Sequence, residues 1–359
     1  MASTSSLKVD VVIPIWNQPE VTRRCLDSIL QSGGEPLRLI LVDNGSTTET
    51  KELLEKFAAS GRIPVKLIRN EENLGFVKGT NQGIRAGGAE WVCLLNNDTV
   101  VTPGWLAEMI RVAEADPANG LVNPSSNSLG SVAGGLSPAA YAETLKPLSG
   151  QWVDLPKALG FCLLAKRSLL DRIGLLDETF GMGNFEDDDL SNRARQAGLR
   201  CVRATAAYVH HEEKTSFRDL PGWKQGFQEN RKKFEKRWGR PLRILWGPGP
   251  SNGGFPKEAA LQLSREGHWL CFVRAAASLP PEVPTQAQTS FLGLPENGWI
   301  PRATLWLLVR RKKPFDLVIS YNRPWSGWVR RLGMLHRAQV LENPTAQAIL
   351  EKCRELSNV

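Results

Sequence analysis

The sequence predicts an α/β fold built on a mostly parallel sheet with helices on both faces. Over residues 9–123, short β-branched runs alternate with segments whose apolar residues recur at helical spacing, the pattern of a doubly wound sheet. Polar residues follow these runs at Asn17, 43–46 and 96–98. Because ligands bind beyond the carboxyl ends of parallel strands, we expect these polar tips on one rim of the sheet.

The first strands and helices follow from local signals. Residues 9–15 are a β-branched apolar run, typical of a buried strand. Pro19 suits the first position of a helix, which the glycines at 33–34 end. Residues 37–42 repeat the strand pattern, and the run 46–49 is a capping box that predicts the start of the next helix.

The alternation continues up to an expected loop. Residues 65–68 and 91–95 are further apolar strands, with a Gly-rich segment at 73–86 between them. Pro103 opens another helix. Residues 124–157 are rich in Ser, Gly, Pro and Ala, which predicts a mobile loop.

The pattern of strands and helices resumes after this loop and completes a main domain that we expect to cover residues 1–245. Residues 160–164 form a strand, an acidic run at 186–189 begins a helix, and a further strand approaches His211. The basic stretch 223–243 has helical spacing.

The composition changes beyond residue 245. A run rich in Gly and Pro at 247–254 follows a strand-like segment, and 315–320 has the pattern of another buried strand. We therefore expect a small Rossmann-like α/β appendage over 246–359. The glycines at 247–254 lack GxGxxG spacing, so they are weak support for nucleotide binding.

Composition limits the classes of partner and compartment. The net charge of +8 suits a nucleotide-bearing substrate, an anionic membrane surface or nucleic acid. Since the sequence has no recognisable nucleic-acid-binding motif, we expect no nucleic acid partner. The six cysteines lack CxxC spacing, which indicates a reducing compartment. No apolar leader follows Met1, so the expected location is the cytoplasm.

The segment 306–313 leaves two interpretations open. Residues 306–309 are apolar and residues 310–313 are all basic. This pattern fits a peripheral contact with the inner face of the plasma membrane, where anionic lipids attract basic residues. A core helix whose basic end is solvated is the slightly favoured interpretation.

Two polar sites indicate sugar transfer from a diphosphate donor. Asp98 and His211 can hold Mg²⁺ or Mn²⁺, which use few protein ligands together with phosphates and water. The acidic run 186–189 can supply a base for an acceptor hydroxyl. Each pattern also has a plain structural interpretation: a turn, a structural histidine, and an acidic first turn of a helix. Their order and spacing favour the functional interpretation.

These motifs occur in an order that resembles the family 2 glycosyltransferases, especially the rhamnosyltransferase-like branch. The resemblance covers roughly residues 8–240 and rests on VVIPIWN at 11–17, VDNGS at 42–46, NLGF at 73–76, LLNNDT at 94–99, GF at 160–161, FEDDDL at 185–190 and His211. It implies a GT-A fold, a Rossmann-like mixed sheet flanked by helices. It also implies a nucleotide-diphospho-sugar donor, a divalent metal and inversion at the anomeric carbon.

The resemblance places donor binding on eight positions, which are Pro14, Trp16, Asp43, Ser46, Asn73, Gly75, Lys78 and Asn97. The first three would line the base and ribose, with Asp43 accepting a hydrogen bond from a pyrimidine N3–H. Asn73, Gly75 and Lys78 would lie near the ribose and diphosphate.

The resemblance also distributes the metal and the chemistry. Asp98 and His211 match metal ligands, and Ser216 follows His211 at the usual distance. Asp187 matches the general base, while Glu186 and Asp189 would contact the acceptor or donor sugar. The metal motif here is Asn96-Asn97-Asp98, which leaves one acidic ligand, and Lys78 stands where the family often has Arg.

The implied function is transfer to a hydroxyl of a glycan or lipid-linked acceptor, in bacterial surface polysaccharide synthesis. The alternative is a catalytically silent binding or scaffold protein on the GT-A fold. The tail resembles the beginning of a GT-B half. Since 246–359 is too short for two Rossmann halves, it would be a truncated one.

Overall fold

The computed structural model describes residues 7–213, 222–248, 256–275, 289–295, 297–309 and 313–358. The chain forms two compact units, the first ending at Lys232 and the second beginning at Lys233. The sequence placed a boundary at 245/246, which lies inside a strand of the second unit. Ser216, most of the run 247–254 and the basic residues 310–312 lie outside the described residues.

The first unit is a sheet flanked by helices. Its strands are β1 (Val9–Ile15), β2 (Leu37–Asn44), β3 (Val65–Asn70), β4 (Trp91–Leu95), β5 (Thr99–Val101), β6 (Asn119–Ser125), β7 (Trp152–Leu155), β8 (Cys162–Lys166) and β9 (Arg200–His211). Its helices are α1 (Pro19–Ser32), α2 (Thr48–Ala59), α3 (Phe76–Ala86), α4 (Trp105–Ala115), α5 (Pro138–Leu145), α6 (Arg167–Ile173) and α7 (Glu186–Gln196), and α8 (Trp223–Trp238) begins within it.

The sheet has the strand order β3-β2-β1-β4-β8-β6-β9-β5, with β7 paired to β9. Strands β1 to β4 are mutually parallel, as the alternation of strands and helices predicts. The second half adds antiparallel pairs through β8, β7 and β5, so the sheet is mixed. The carboxyl ends of β1, β2 and β4 therefore share one rim.

Two local predictions are wrong. The expected mobile loop over 124–157 contains helix α5 and strand β7. The capping box at 46–49 does not form, because the Oγ of Ser46 accepts a hydrogen bond from the backbone N–H of Asn17 at 2.8 Å. In both places contacts with distant residues decide the local structure.

The buried carboxylate of Asp10 joins four segments of the first unit. It accepts hydrogen bonds from Arg38 at 2.7 and 2.9 Å, and from Arg167 at 2.9 Å. The backbone N–H groups of Gly88 and Ala89 donate to it at 2.7 and 2.8 Å. Burial alone would raise the pKa of Asp10, but these donors together lower it. The network ties β1 to β2, to the turn before β4 and to α6.

We expect Asp10→Asn to destabilise the protein by about 3 kcal/mol, because it leaves two arginines and two backbone N–H groups without their anionic partner. Urea unfolding measures this loss. Asp116→Asn, which breaks a more exposed pair with Arg200, is the matched control. Since the pKa of Asp10 lies below its ordinary 3.8, its contribution is present above that pH and is lost as the pH falls through the lowered pKa. Equal losses in the two variants would contradict the prediction.

The second unit has a five-stranded parallel sheet of order β12-β11-β10-β13-β14. The strands are β10 (Arg243–Trp246), β11 (Trp269–Ala275), β12 (Thr289–Leu294), β13 (Leu317–Ser320) and β14 (Gln339–Glu342). The helices are α9 (Lys257–Arg265), α10 (Trp299–Val309), α11 (Arg323–Arg331), α12 (Gly333–His336) and α13 (Ala346–Ser357). One core cluster contains residues of α9 and α13, and a separate one contains residues of α10 and α11.

The strand order places the first strand of this unit at the centre, which is a doubly wound arrangement. Within the described part of both units, no helix is long and apolar enough to cross a bilayer.

Candidate active site

A cavity of about 880 Å³ opens at the rim where β1 and β4 end. Its walls come from the ends of β1 and β2, from the segments after β1, β3 and β4, from the turn before β8, from the start of α7 and from the end of β9. Aromatic side chains at the start of α8 complete it. The volume lies within the range of small-molecule sites.

Asp98 and His211 meet in this cavity. Strand β5 pairs antiparallel with β9, and Thr99 lies opposite His211 in the register. The carboxylate Oδ1 of Asp98 therefore lies 3.1 Å from Nε2 of His211. Both side chains are largely buried, at 9% and 15% exposed.

Further contacts orient His211. The side chain of Asn127 accepts from its backbone N–H at 2.9 Å and donates to its carbonyl at 2.8 Å. The ring stacks on Phe161 with centroids 5.0 Å apart. On the far side of the ring, Nδ1 lies 2.9 Å from the Oγ of Ser128, which donates to Glu213. Because that hydroxyl donates to Glu213, it accepts from an Nδ1–H, and Nε2 faces Asp98.

This pair fits two neighbouring ligands of a divalent ion. Two ligands at right angles on an ion with bonds of about 2.1 Å are roughly 3 Å apart, close to the observed spacing. An imidazole and a carboxylate are both suitable for Mn²⁺. Among the described residues, no group of three or more His, Cys, Asp or Glu side chains is arranged around a metal position. Phosphate oxygens and water would have to supply the remaining ligands.

The four acidic residues of α7 lie in different environments. Glu186 is buried and lines the cavity, and its Oε2 has no hydrogen-bond partner in the described structure. Burial, and then the charge of Asp187, raise the pKa of Glu186 to about 8. Glu186 is therefore mainly protonated at neutral pH.

Asp187 also lines the cavity and is half-buried. It accepts hydrogen bonds from the backbone N–H groups of Gly160 at 3.0 Å and of Asp188 at 2.8 Å. Within the described residues, it has no ion-pair partner. A carboxylate in this position can accept a proton from a group bound in the cavity.

The next two carboxylates are engaged elsewhere. Asp188 pairs with Lys157 at 2.8 Å. Burial and the charge of Asp187 raise the pKa of Asp188 in spite of this pairing. Asp189 is fully buried, pairs with Arg193 at 2.8 Å and is absent from the cavity wall. This placement argues against a contact between Asp189 and a bound sugar.

Half of the expected donor-binding residues lie in the cavity wall, namely Pro14, Trp16, Asn73 and Asn97. The other four are absent from it, namely Asp43, Ser46, Gly75 and Lys78.

Asp43 is 1% exposed and is already occupied by internal partners. It accepts from the N–H of Ser46 at 2.9 Å and forms an ion pair with Arg69. Asp43 therefore positions the turn at Ser46. The Oγ of Ser46 in turn accepts a hydrogen bond from the N–H of Asn17. Gly75 begins α3, where φ is +86° and a Cβ would lie 2.9 Å from the carbonyl oxygen of Gly181. Glycine is therefore required there by the backbone.

Four residues that organise the site have no distinguishing signal in the sequence. Asn127, Ser128 and Lys157 fall in the segment expected to be a loop, and Arg69 is the next-to-last residue of β3. Each is an ordinary polar residue in its local sequence. Only the pairing of distant strands brings them to His211, Asp188 and Asp43.

We expect Glu186→Gln to change how stability depends on pH. The folded pKa of Glu186, about 8, exceeds its ordinary 4.5, so its stabilising contribution is full below the ordinary value and is lost as the pH rises through about 8. Between pH 6 and pH 9 the wild type should lose on the order of 2 kcal/mol more than the variant. Denaturant unfolding without added metal measures this difference. Glu20→Gln, on the exposed side of α1, is the control, and parallel curves for wild type and Glu186→Gln would contradict the prediction.

Comparisons with known proteins identify similar sequences and a similar fold. Residues 10–136 match the family model described as Glycosyl transferase family 2. A pre-mycofactocin glycosyltransferase of Mycobacterium tuberculosis is 29% identical over 59% of this chain and 44% of its own length. The O-antigen biosynthesis protein RfbC of Myxococcus xanthus is 26% identical over 57% of this chain and 17% of its own length. The chain thus spans less than half of either relative.

Among solved structures, GalNAc-T7 with UDP, GalNAc and Mn²⁺ is similar in fold. Its TM-score is 0.52 with 17% identity, and the match covers 65% of this chain and 49% of that one. The predicted GT-A fold is thereby confirmed. Residues 10–136, which match the Glycosyl transferase family 2 model, lie within a mixed α/β unit of the GT-A fold.

Proposed function

We propose that this protein is a metal-dependent, inverting glycosyltransferase. It would move a sugar from a nucleotide-diphospho-sugar to a hydroxyl of a glycan or lipid-linked acceptor. One observation carries the proposal: the Asp98–His211 pair and the carboxyl groups of Glu186 and Asp187 line the same cavity. A role in surface polysaccharide synthesis is supported by the name of the myxococcal relative.

Asp98 and His211 would hold the metal together with the donor diphosphate. A bound divalent ion would neutralise the negative charge that grows on the leaving diphosphate. The similar fold that carries UDP and Mn²⁺ supports this assignment. Asn127 and Ser128 would fix the backbone and the ring of His211, so that Nε2 stays directed at the ion.

Asp187 would act as the general base. It would take the proton of the acceptor hydroxyl while the oxygen of that hydroxyl bonds to the anomeric carbon and the diphosphate leaves. A single displacement of this kind inverts the anomeric configuration. Glu186, protonated at neutral pH, would be a hydrogen-bond donor in the cavity wall. The two neighbouring acids would thus have different tasks.

The other donor contacts would come from the opposite part of the cavity. Pro14 and Trp16 would pack on the nucleoside, with Asn73 and Asn97 as polar contacts. Asp43 would position this part through Ser46 and Asn17 and would not touch the base. A rhamnosyl donor, as in the branch that the sequence resembles, is the first donor to test.

Substituting Asp187 tests the assignment of the base. We expect Asp187→Asn to lower turnover by about 10²–10⁴ while the KM for the donor holds, since the shape remains and the basicity is lost. Release of nucleoside diphosphate from a panel of nucleotide sugars with Mn²⁺ measures both values. Asp188→Asn, which removes a carboxylate already paired with Lys157, is the matched control. An equal loss in the control, or full turnover in Asp187→Asn, would place the base elsewhere. A silent scaffold protein would release no diphosphate from any donor.

Substitutions around His211 test the metal ligands. We expect Asp98→Asn to abolish Mn²⁺-dependent binding of a nucleoside diphosphate, because it removes the carboxylate ligand. Ser128→Ala should weaken Mn²⁺ binding by about 10–100-fold, since it removes the hydrogen bond to Nδ1 that orients the ring. Titration calorimetry measures both, with the remote Ser60→Ala as control. Unchanged Mn²⁺-dependent binding in Asp98→Asn would exclude the site.

A further inference from the structure

The second unit exposes a concentration of large apolar side chains on three short helices. Five of the ten exposed large hydrophobic residues in the described structure belong to α10, α11 and α12. We call them the apolar patch: Leu305 (63% exposed), Val309 (69%), Trp328 (53%), Met334 (94%) and Leu335 (63%). The three helices contact one another, so the five residues lie on neighbouring helices.

The structure prevents these side chains from turning inward. The inner faces of α10 and α11 already fill the core with Ala303, Leu307 and Trp325. The short helix α12 is held by His336, whose Nδ1 accepts from the N–H of Ala338 at 3.0 Å and whose Nε2 donates to the carbonyl of Val329 at 2.8 Å. The exposure of the apolar patch is therefore built into the fold.

The run 306–309, for which the sequence left a core helix and a membrane contact open, is partly buried and partly exposed. Trp306 packs on Phe315, with ring centroids 5.5 Å apart, and Leu307 is buried. Val309 of the same run and the preceding Leu305 stay in solvent. One side of α10 thus serves the core, and its other side contributes to the apolar patch.

The layer that carries the patch is strongly basic. The described residues between 297 and 338 include six Lys or Arg side chains and one acidic side chain, Asp316. Asp316 is occupied by the N–H of Arg243 and by an ion pair with Arg240. The exposed side chains of Arg323 and Arg331 have no ion-pair partner among the described residues. Helices α9 and α13, which belong to the other core cluster, mix both signs.

We propose that the apolar patch and its arginines bind the surface of an anionic lipid bilayer. The apolar side chains would enter the boundary between headgroups and acyl chains, and the arginines would meet lipid phosphates. The excess of positive charge selects this partner, because anionic lipids attract such residues by about fivefold in affinity per Lys or Arg. Binding does not depend on the proposed sugar transfer, although it would bring the enzyme to lipid-linked acceptors.

Flotation of the whole protein with lipid vesicles tests the proposal. We expect binding to vesicles of equal parts phosphatidylcholine and phosphatidylglycerol, and little binding to phosphatidylcholine alone. The double variant Met334→Ser/Leu335→Ser should bind at least about tenfold more weakly, since it removes apolar area that would leave water. Arg323→Gln/Arg331→Gln should lose about 25-fold. Val132→Ser/Leu136→Ser, at exposed apolar positions of the first unit, is the matched control and should bind like the wild type.

Three results would overturn the proposal. The first is no binding to the anionic vesicles, and the second is equal binding by wild type and both double variants. The third is self-association of the wild type in sedimentation velocity that Met334→Ser/Leu335→Ser abolishes, which would make the patch an interface between copies of this chain. Circular dichroism and urea unfolding of each variant show that the fold is kept. Donor hydrolysis without vesicles is a separate readout, so its failure would concern the proposed function alone.

Discussion

The antiparallel pairing of β5 with the end of β9 is the interaction on which the site depends. It brings Asp98 and His211, 113 positions apart in the chain, within 3.1 Å. The pairing is reinforced beyond the strands: the N–H of Glu212 donates to the carbonyl of Asp98 at 2.9 Å, and Thr102 donates to the carbonyl of Tyr208 at 2.7 Å. Without this pairing, Asp98 and His211 would not lie close enough to bind the same metal ion.

Polar groups are treated differently inside the sheet and at its rim. Asp10 lies in β1, and both of its carboxylate oxygens accept hydrogen bonds from arginines or backbone N–H groups. A buried carboxylate needs such donors to be stable. At the rim, Glu186 keeps a buried oxygen without a partner, and Asp98 faces the Nε2 of His211. A buried oxygen without a partner, like that of Glu186, costs stability, so it is expected where a ligand completes it.

The acidic run of α7 shows how one motif separates into several roles. Successive residues of a helix point about 100° apart, so four consecutive acids cannot share one environment. Glu186 and Asp187 face the cavity, Asp188 meets Lys157, and Asp189 turns into the core to meet Arg193. Lys157 and Arg193 neutralise two of the four carboxylates, Glu186 is protonated, and Asp187 remains without an ion-pair partner among the described residues.

The sequence by itself determined the α/β class, the order of most strands and helices, and the rim on which the polar tips lie. These depend on apolar periodicity and on Pro and Gly signals, which are local. It also pointed to Asp98, His211 and the acidic run 186–189, since their order and spacing are visible without coordinates, and the family resemblance singled out Asp187 within that run. The division of residues 124–157 into α5 and β7 was not visible, because a segment rich in small residues takes its structure from the strands beside it.

Only the tertiary structure decided which polar residues face the cavity. Asp43 and Asp189 have the same residue type and similar local context as the residues of the cavity wall, yet Arg69 and Arg193 hold them in the interior. Likewise, the apolar run of α10 could be divided between core and surface only once the packing against β13 and α11 was known. The reason is the same in each case. Whether a charged or apolar side chain is buried or exposed depends on the residues that pack against it, and those residues come from distant parts of the chain.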